Sequence, residues 1–403
     1  MPKPATSVLG DERSHYHEWR EAEVTVCGEG FRVATKPGVL SFGSQDAANL
    51  MLAEHARAAA GEAVVQLNGA TGLFATVAAR SATRVLTADR NVLSVEAARR
   101  TFQANGTQNA EAFAGQGASS LPSGLEADLV AIRIPTEKLV LHQLLWDAFS
   151  LAKVGGRCAI AGATNEGIKS ASAALEALFG NAVVVATGSG HRVVIATKRA
   201  ERPASDAIAD SDYLRHDVFH MYTATMRGRE IALFTRPGVF SWDHVDEATT
   251  LLAEAMVVNA GEHVLDLGCG AGALGITASG LSGGAPVTLV DADMEAVRSA
   301  ARSIEHAGVP NARVIPSDIA SAVLAEHFDV VVTNPPFHVG KATDLDVPLQ
   351  FIEDSWHVLN AGGRLFLVAN RTLPYERAIY QRFGNIATVH DGRRFKVLSA
   401  VRG

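Results

Sequence analysis

At 403 residues, 47% of them hydrophobic and 20% charged, the chain is too long for one ordinary core and too apolar for a disordered one, so two or three globular domains are expected. A formal net charge of −7 argues against a general polyanion binder but leaves room for a local basic face that contacts phosphates. No apolar run approaches the length of about 18 residues that a membrane span needs, and the opening "MPKPATSVLGDERSHYHEWR" is polar where a secretory signal would be apolar. A soluble, cytoplasmic chain without membrane contact is the expectation. Cys27, Cys158 and Cys269 are widely spaced and the histidines form no HEXXH motif, so neither a disulfide framework nor a metal site is expected.

Taken in chain order, the elements repeat. "TKPGVLS" at Thr35 to Ser41 recurs as "TRPGVFS" at Thr235 to Ser241, and the same spacing carries "VVQLNGATG" (Val64 to Gly72) onto "VLDLGCGAG" (Val264 to Gly272). "VLTAD" ending at Asp89 matches "TLVD" ending at Asp291, and "VGGRCAIAG" from Val154 matches "AGGRLFLVA" from Ala361. The segment "RAERPASDAIADSD", Arg199 to Asp212, is polar, contains Pro and lacks apolar periodicity. We therefore expect one domain over residues 1–200, a linker over 201–225 and a second domain over 226–403.

Within the second copy, the apolar runs "HVLDL", "VTLVD", "ARVIPS", "FDVVVTN" and "RLFLVAN" alternate with helical segments. In "DMEAVRSAARSIEHAG", Met294, Val297, Ala301 and Ile304 recur at three and four, which predicts one buried helix face. Continuous apolar strands separated by helices predict an α/β fold, a doubly wound and mostly parallel sheet covered on both faces. The turn at Asp391-Gly392 before "FKVLSAVR" predicts a terminal antiparallel hairpin. The tail from Arg371 carries Arg377, Arg382, Arg393, Arg394, Lys396 and Arg402 against Glu376 and Asp391, either a basic contact face or an ordinary solvated surface.

"VLDLGCGAGALG" is a strand that breaks into glycines before a helix. Gly268, Gly270 and Gly272 suit a sharp turn and close backbone approach to a ligand, with free helical N–H groups behind them. Gly270, Gly272 and Gly275 also satisfy the dinucleotide pattern, so the discriminating residue is Asp266. A carboxylate there repels a pyrophosphate and suits a ligand amino group. Asp291 ends the next strand, where an acid accepts from both hydroxyls of a ribose, and Asp318 follows the third strand, placed to accept from an adenine amine. Simpler readings are a strand-end cap for Asp291 and an N-cap before "IASAVLAEH" for Asp318. A nucleoside with a cationic, amine-bearing tail and no phosphate fits all three acids: S-adenosylmethionine.

The fourth strand runs into "VVVTNPPFHVG", and its prolines end the ladder at the carboxyl edge of the sheet. Asn334 Oδ1 and the carbonyl before Pro336 can accept from one exocyclic amine, and Phe337 can stack on the ring bearing it. The amine nitrogen is then aimed at the sulfonium methyl, and orientation supplies most of the acceleration. His338 is either a proton acceptor or a surface histidine.

These motifs, "DLGCGAG", Asp291, "PSD" and "NPPFHVG", resemble the bacterial ribosomal RNA guanine-N2 methyltransferases, and the tandem arrangement resembles the small-subunit methyltransferase C family. The resemblance extends to "PGVFS" and "GRRFKVL". It implies two tandem class I (Rossmann-like) methyltransferase domains, the first degenerate and the second binding the donor. It also implies methylation of the N2 amine of a guanine in 16S rRNA, with S-adenosylmethionine as cofactor and the small ribosomal subunit as partner; a monomer is the separate expectation, which no residue of the sequence decides. Asp266, Gly268, Gly270, Gly272, Asp291, Asp318 and Asn334 would hold the cofactor, and Asn334, Pro335, Pro336 and Phe337 the target guanine. In the first copy Gln66, Asn68 and Ala70 stand for Asp266, Gly268 and Gly270, and "IRIP" puts the donor-only Arg133 where Asn334 accepts.

Rival readings are a large-subunit guanine enzyme, methylation of a protein glutamine or adenine amine, and a non-catalytic RNA-binding assembly factor. A nicotinamide oxidoreductase is a further rival, but it leaves "NPPF" unexplained.

Overall fold

The computed structural model describes residues 15–206, 208–336 and 346–403. The chain is two copies of one unit, each a two-stranded hairpin followed by a seven-stranded sheet with helices on both faces. In the first copy β1 (Arg20–Val26) and β2 (Glu29–Thr35) form the hairpin around Cys27-Gly28, both at positive φ. There follow α1 (Ala47–His55), β3 (Ala63–Leu67), α2 (Leu73–Ala78), β4 (Arg84–Asp89), α3 (Val92–Ala104), β5 (Ala110–Ala114), β6 (Ala127–Arg133), α4 (Lys138–Leu151), β7 (Ala152–Ala163), α5 (Ile168–Phe179), β8 (Val183–Gly188) and β9 (His191–Thr197). The sheet order is β5-β4-β3-β6-β7-β9-β8, parallel except where β9 pairs antiparallel with β7 and β8.

The second copy repeats this as β10 (His220–Met226), β11 (Arg229–Thr235), α6 (Glu247–Ala255), β12 (Val264–Leu267), α7 (Ala273–Leu281), β13 (Val287–Asp291), α8 (Met294–Ala307), β14 (Ala312–Pro316), β15 (Phe328–Thr333), α9 (Asp346–Val358), β16 (Leu359–Asn370), α10 (Tyr375–Phe383), β17 (Ala387–Asp391) and β18 (Phe395–Val401). Its order is β14-β13-β12-β15-β16-β18-β17, with the expected terminal antiparallel hairpin. The strands β12 and β15 cross the core mainly on Val264, Leu265, Leu267 and Val330 to Val332, because helices cover both faces, with Asp266 the buried exception in β12. No helix among the described residues is long and apolar enough to cross a membrane.

Three expectations shift. Strand β10 occupies His220–Met226, inside the stretch expected to be linker, because the β-forming run "HMYTATM" lies beyond the polar segment that suggested one. The expected linker is itself tied down: Ile208 and Leu214 are buried, and His216 Nε2 lies 3.1 Å from Asp147 of α4. The buried face of α8 is Ala296, Val297, Ala300 and Ile304, with Ser299 and Ser303, while Ala301 is exposed. The small serines let β11 approach closely enough for Phe234 N to donate to Ser303 Oγ at 2.9 Å. Finally, "IASAVLAEH" forms only a short 3₁₀ turn at Ser321–Val323, so Asp318 caps no α-helix.

The copies meet at the amino ends of α3 and α8. Asn91 and Asp293, the two N-caps, form a bridge, with Val92 N donating to Ala292 O at 2.9 Å and Met294 N to Arg90 O at 2.8 Å. Arg90 Nε donates to Asp293 Oδ1 at 2.7 Å, and its second nitrogen pairs with Oδ2. Equivalent strand ends, β4 and β13, are thereby brought face to face.

Candidate active site

One cavity of about 960 Å³ lies between the copies and is lined by both. On the second-copy side its wall is the carboxyl edge of the sheet, where parallel strands end and helices begin. The backbone after β12 turns through Gly268 (φ 78°), Gly270 (φ 54°) and Gly272 (φ 87°), a left-handed sequence that glycine adopts without strain. Their roles separate on the space around them. A Cβ on Gly270 would meet nothing within 4 Å, so this is where backbone faces open cavity. A Cβ on Gly272 would press on Ala300 and Leu289 at 3.3 Å, which makes that glycine a packing requirement of α7 against α8; it does not line the cavity. Gly268 lines the cavity beside the Phe351 ring.

Asp291, at the end of β13, holds the loop in shape. Its Oδ2 accepts from Gly270 N and its Oδ1 from Asp293 N, both at 2.9 Å, and the carboxylate still borders the cavity. Burial, followed by the neighbouring Asp293, pushes its pKa up to about 6. Asp266 departs from the expected position. It is fully buried beneath the glycine loop, does not line the cavity, and accepts from Gly275 N at 2.8 Å, while its Oδ1 has no partner. Desolvation pushes it up to about 7. Its geometry is that of a carboxylate tethering the first turn of α7.

Asp318 does border the cavity, but both oxygens are engaged from the first copy. Tyr16 Oη donates to Oδ1 at 2.8 Å, and the Lys36 ammonium pairs with Oδ2. Neither partner was legible as a site residue, since each lies far from Asp318 in the chain.

Asn334 follows β15 and lines the cavity. Its Nδ2 donates to Asp246 Oδ2 at 3.1 Å and to Thr249 Oγ1 at 3.0 Å, which fixes the amide with Oδ1 as the remaining acceptor. That Oδ1 is buried and has no partner. A buried, oriented, unsatisfied acceptor costs roughly 1–3 kcal/mol until a donor arrives, and this one belongs to a residue that lines the cavity. Asp246, the N-cap of α6, also accepts from Ala248 N and Thr249 N at 3.1 and 3.2 Å. Asp246 and Thr249 were missed from sequence, although Asp46 stands at the matching place in the first copy and caps α1. Pro335 is buried and Pro336 exposed, both on the wall. Phe337 and His338 lie outside the described residues.

The first copy shows the same edge without its equipment. Asp89 accepts from Ala70 N and Asn91 N at 2.9 Å, as Asp291 does with its counterparts. Asn68 (φ 59°) and Ala70 (φ 48°) keep the left-handed path that glycine takes in the second copy. The register places Arg133 at the Asn334 position, and its guanidinium is locked by Glu166 at 2.6 Å and the Ile134 carbonyl at 2.8 Å. Arg133 itself is donor-only and offers no acceptor in place of the Asn334 amide oxygen. Of the basic tail, Arg382 stacks on Trp356 and pairs with Glu353, Arg394 pairs with Glu247 and Lys396 with Glu376, while Arg377 and Arg393 stay exposed.

Comparison with known proteins identifies the fold and the family. The family model described as "Methyltransferase small domain" matches twice, over residues 30–195 and 230–399. The Hahella chejuensis protein named ribosomal RNA small subunit methyltransferase C is 33% identical over 70% of this chain and 80% of its own length. The Psychromonas ingrahamii protein of the same name is 30% identical over 68% and 76%. Among solved structures, the T. thermophilus 16S rRNA N2 G1207 methyltransferase in complex with AdoMet and guanosine superposes with a TM-score of 0.82 at 30% identity, covering 97% of this chain and 99% of that one. The chain belongs to the ribosomal RNA small subunit methyltransferase C family, each of its two copies a methyltransferase small domain.

Proposed function

We propose that this chain transfers a methyl group from S-adenosylmethionine to the exocyclic N2 amine of a guanine in 16S rRNA. The second copy carries the chemistry, and the first is a scaffold that helps position the RNA. The chain acts as a monomer in the cytoplasm, on the small ribosomal subunit or its precursor, without a metal. The observation that carries the reading is Asn334: a buried acceptor with no partner, aimed by Asp246 and Thr249, on a cavity that Asp291 at the end of β13 also lines. The cradle suits the donor, with open space over Gly270 and a carboxylate at Asp291 for ribose hydroxyls.

When bound, S-adenosylmethionine supplies an electrophilic methyl carbon on a sulfonium. The protein's task is placement. Asn334 Oδ1 and the Pro335 carbonyl, held by the ring that follows it, accept the two amine hydrogens and turn the nitrogen lone pair toward the methyl. Nitrogen–carbon bond formation and carbon–sulfur cleavage are in line, and the new ammonium then sheds its proton, so no strong base is needed beforehand. Stacking by Phe337 is inferred from the motif.

The test separates binding from transfer. Asn334→Ala should lower methyl transfer to 16S rRNA by at least about a hundredfold, the loss expected when a buried orienting contact goes, while calorimetric affinity for S-adenosylhomocysteine changes little. Unchanged turnover refutes the role given to Asn334. Failure of the wild-type chain to bind the nucleoside, or to restore a missing methylguanine in RNA from cells lacking the protein, refutes the enzyme reading in favour of an assembly factor.

A further inference from the structure

The donor side of the cavity contains a wall that the second copy does not build alone. Lys36 and Tyr16 belong to the first copy, on the segment after β2 and before β1, yet both end on Asp318. Lys36 is 1% exposed, an unusual place for a lysine. Its ammonium sits 3.7 Å from the centroid of the Tyr16 ring, a cation–π contact, and pairs with Asp318 Oδ2. Burial lowers the Lys36 pKa, and the Asp318 charge opposes that shift, so the ammonium and the carboxylate depend on each other. His17 Nδ1 lies 3.8 Å from the same oxygen, and His17 Nε2 lies 3.3 Å from the buried Asp354 beneath it.

A carboxylate has about four lone-pair directions. Tyr16 and Lys36 occupy one on each oxygen. Asp318 remains 19% exposed, and it lines the cavity one strand beyond Asp291.

We propose that Lys36 and Tyr16 are positioning residues for the methyl donor: they fix Asp318 so that its free lone pairs accept from the adenine amine, making the first copy part of the donor's base selectivity. This rests on the reading of the cavity as a donor site. A purely structural strap between copies would hold the domains together without caring which purine is bound.

The experiment compares two ligands on the full chain by calorimetry: S-adenosylhomocysteine, with an amine at purine C6, and S-inosylhomocysteine, with a carbonyl there. The wild-type chain should prefer the adenine ligand by at least about tenfold, the worth of one hydrogen bond to a charged acceptor. Lys36→Met should bring that preference to within about threefold, chiefly by weakening the adenine ligand, and Tyr16→Phe should reduce it in the same direction. Should Lys36→Met not fold, Tyr16→Phe, nearly isosteric, carries the test. Equal weakening of both ligands, or an unchanged preference, overturns the inference while leaving the donor site standing. A wild-type chain that binds neither ligand overturns the donor reading and the inference with it.

Discussion

The residues that matter most here are polar atoms whose partners come from elsewhere in the chain. Asn334 was readable from "NPPF", but the two groups that orient its amide, Asp246 and Thr249, were not, because a side-chain contact across 88 and 85 positions leaves no local pattern. Asp291 was readable too, and the structure adds a pH dependence. Its folded pKa of about 6 means that above about pH 7 the carboxylate is ionised and, on the proposed donor reading, free to accept from ribose hydroxyls, whereas below about pH 6 it takes up a proton and loses acceptor capacity. Affinity for S-adenosylhomocysteine should therefore be flat above about pH 7 and fall by up to about tenfold per unit below about pH 6. Asp291→Asn should bind weakly at every pH. A wild-type affinity unchanged between pH 5 and 8 would sink this assignment. Asp266 shows where motif reading stopped short: its spacing before the glycines was informative, but its carboxylate faces α7 and not the cavity.

At the scale of elements, the glycine loop and the helix behind it form a unit whose parts do different work. The sequence presented Gly268, Gly270 and Gly272 as equivalent, and only the surroundings distinguish packing from access. Gly270→Ala should fold, losing about 1–2 kcal/mol for the left-handed backbone, because Ala70 holds the same conformation in the first copy. Its methyl would stand in the open space over the loop, so affinity for S-adenosylhomocysteine should drop by at least about tenfold, with a melting temperature only modestly lowered. An unimpaired affinity would place the ligand elsewhere. The sheets themselves were legible, since strands buried on both faces are continuous apolar runs and the repeat doubled every signal. The hairpin strand β10 was not, because one face is exposed and its start adjoins a polar segment. The face of α8 was misread by one position because alanine and serine carry little hydrophobic contrast, and the close approach of β11 decides which of them is buried.

Across the whole molecule, the interface and the site are the same place. Arg90 reaches from the first copy to Asp293, next to Asp291, and also to the Pro237 carbonyl at 3.3 Å. Arg90→Ala should destabilise the chain by about 1–3 kcal/mol, since it leaves the half-buried Asp293 carboxylate only its capping bond from Glu295 N. It also removes the cation that lowers Asp291, so the midpoint for loss of nucleoside affinity should move to higher pH. Thermal unfolding and the same calorimetric titration check both, and a lowered melting temperature with an unmoved midpoint would reduce Arg90 to a tether. That two copies exist was plain from sequence, but how they face each other was not, because the contacts are backbone bridges and paired caps that any N-cap residue could supply. The retained left-handed path at Asn68 and Ala70 carries one more consequence. That loop keeps Gly72 but holds its first two left-handed positions without glycine, so their shape is dictated by the strand, the helix and the aspartate that bracket them. By the same logic the working loop is already formed before any nucleoside arrives, and association should be limited by diffusion into the cavity mouth, with little ordering entropy lost on capture.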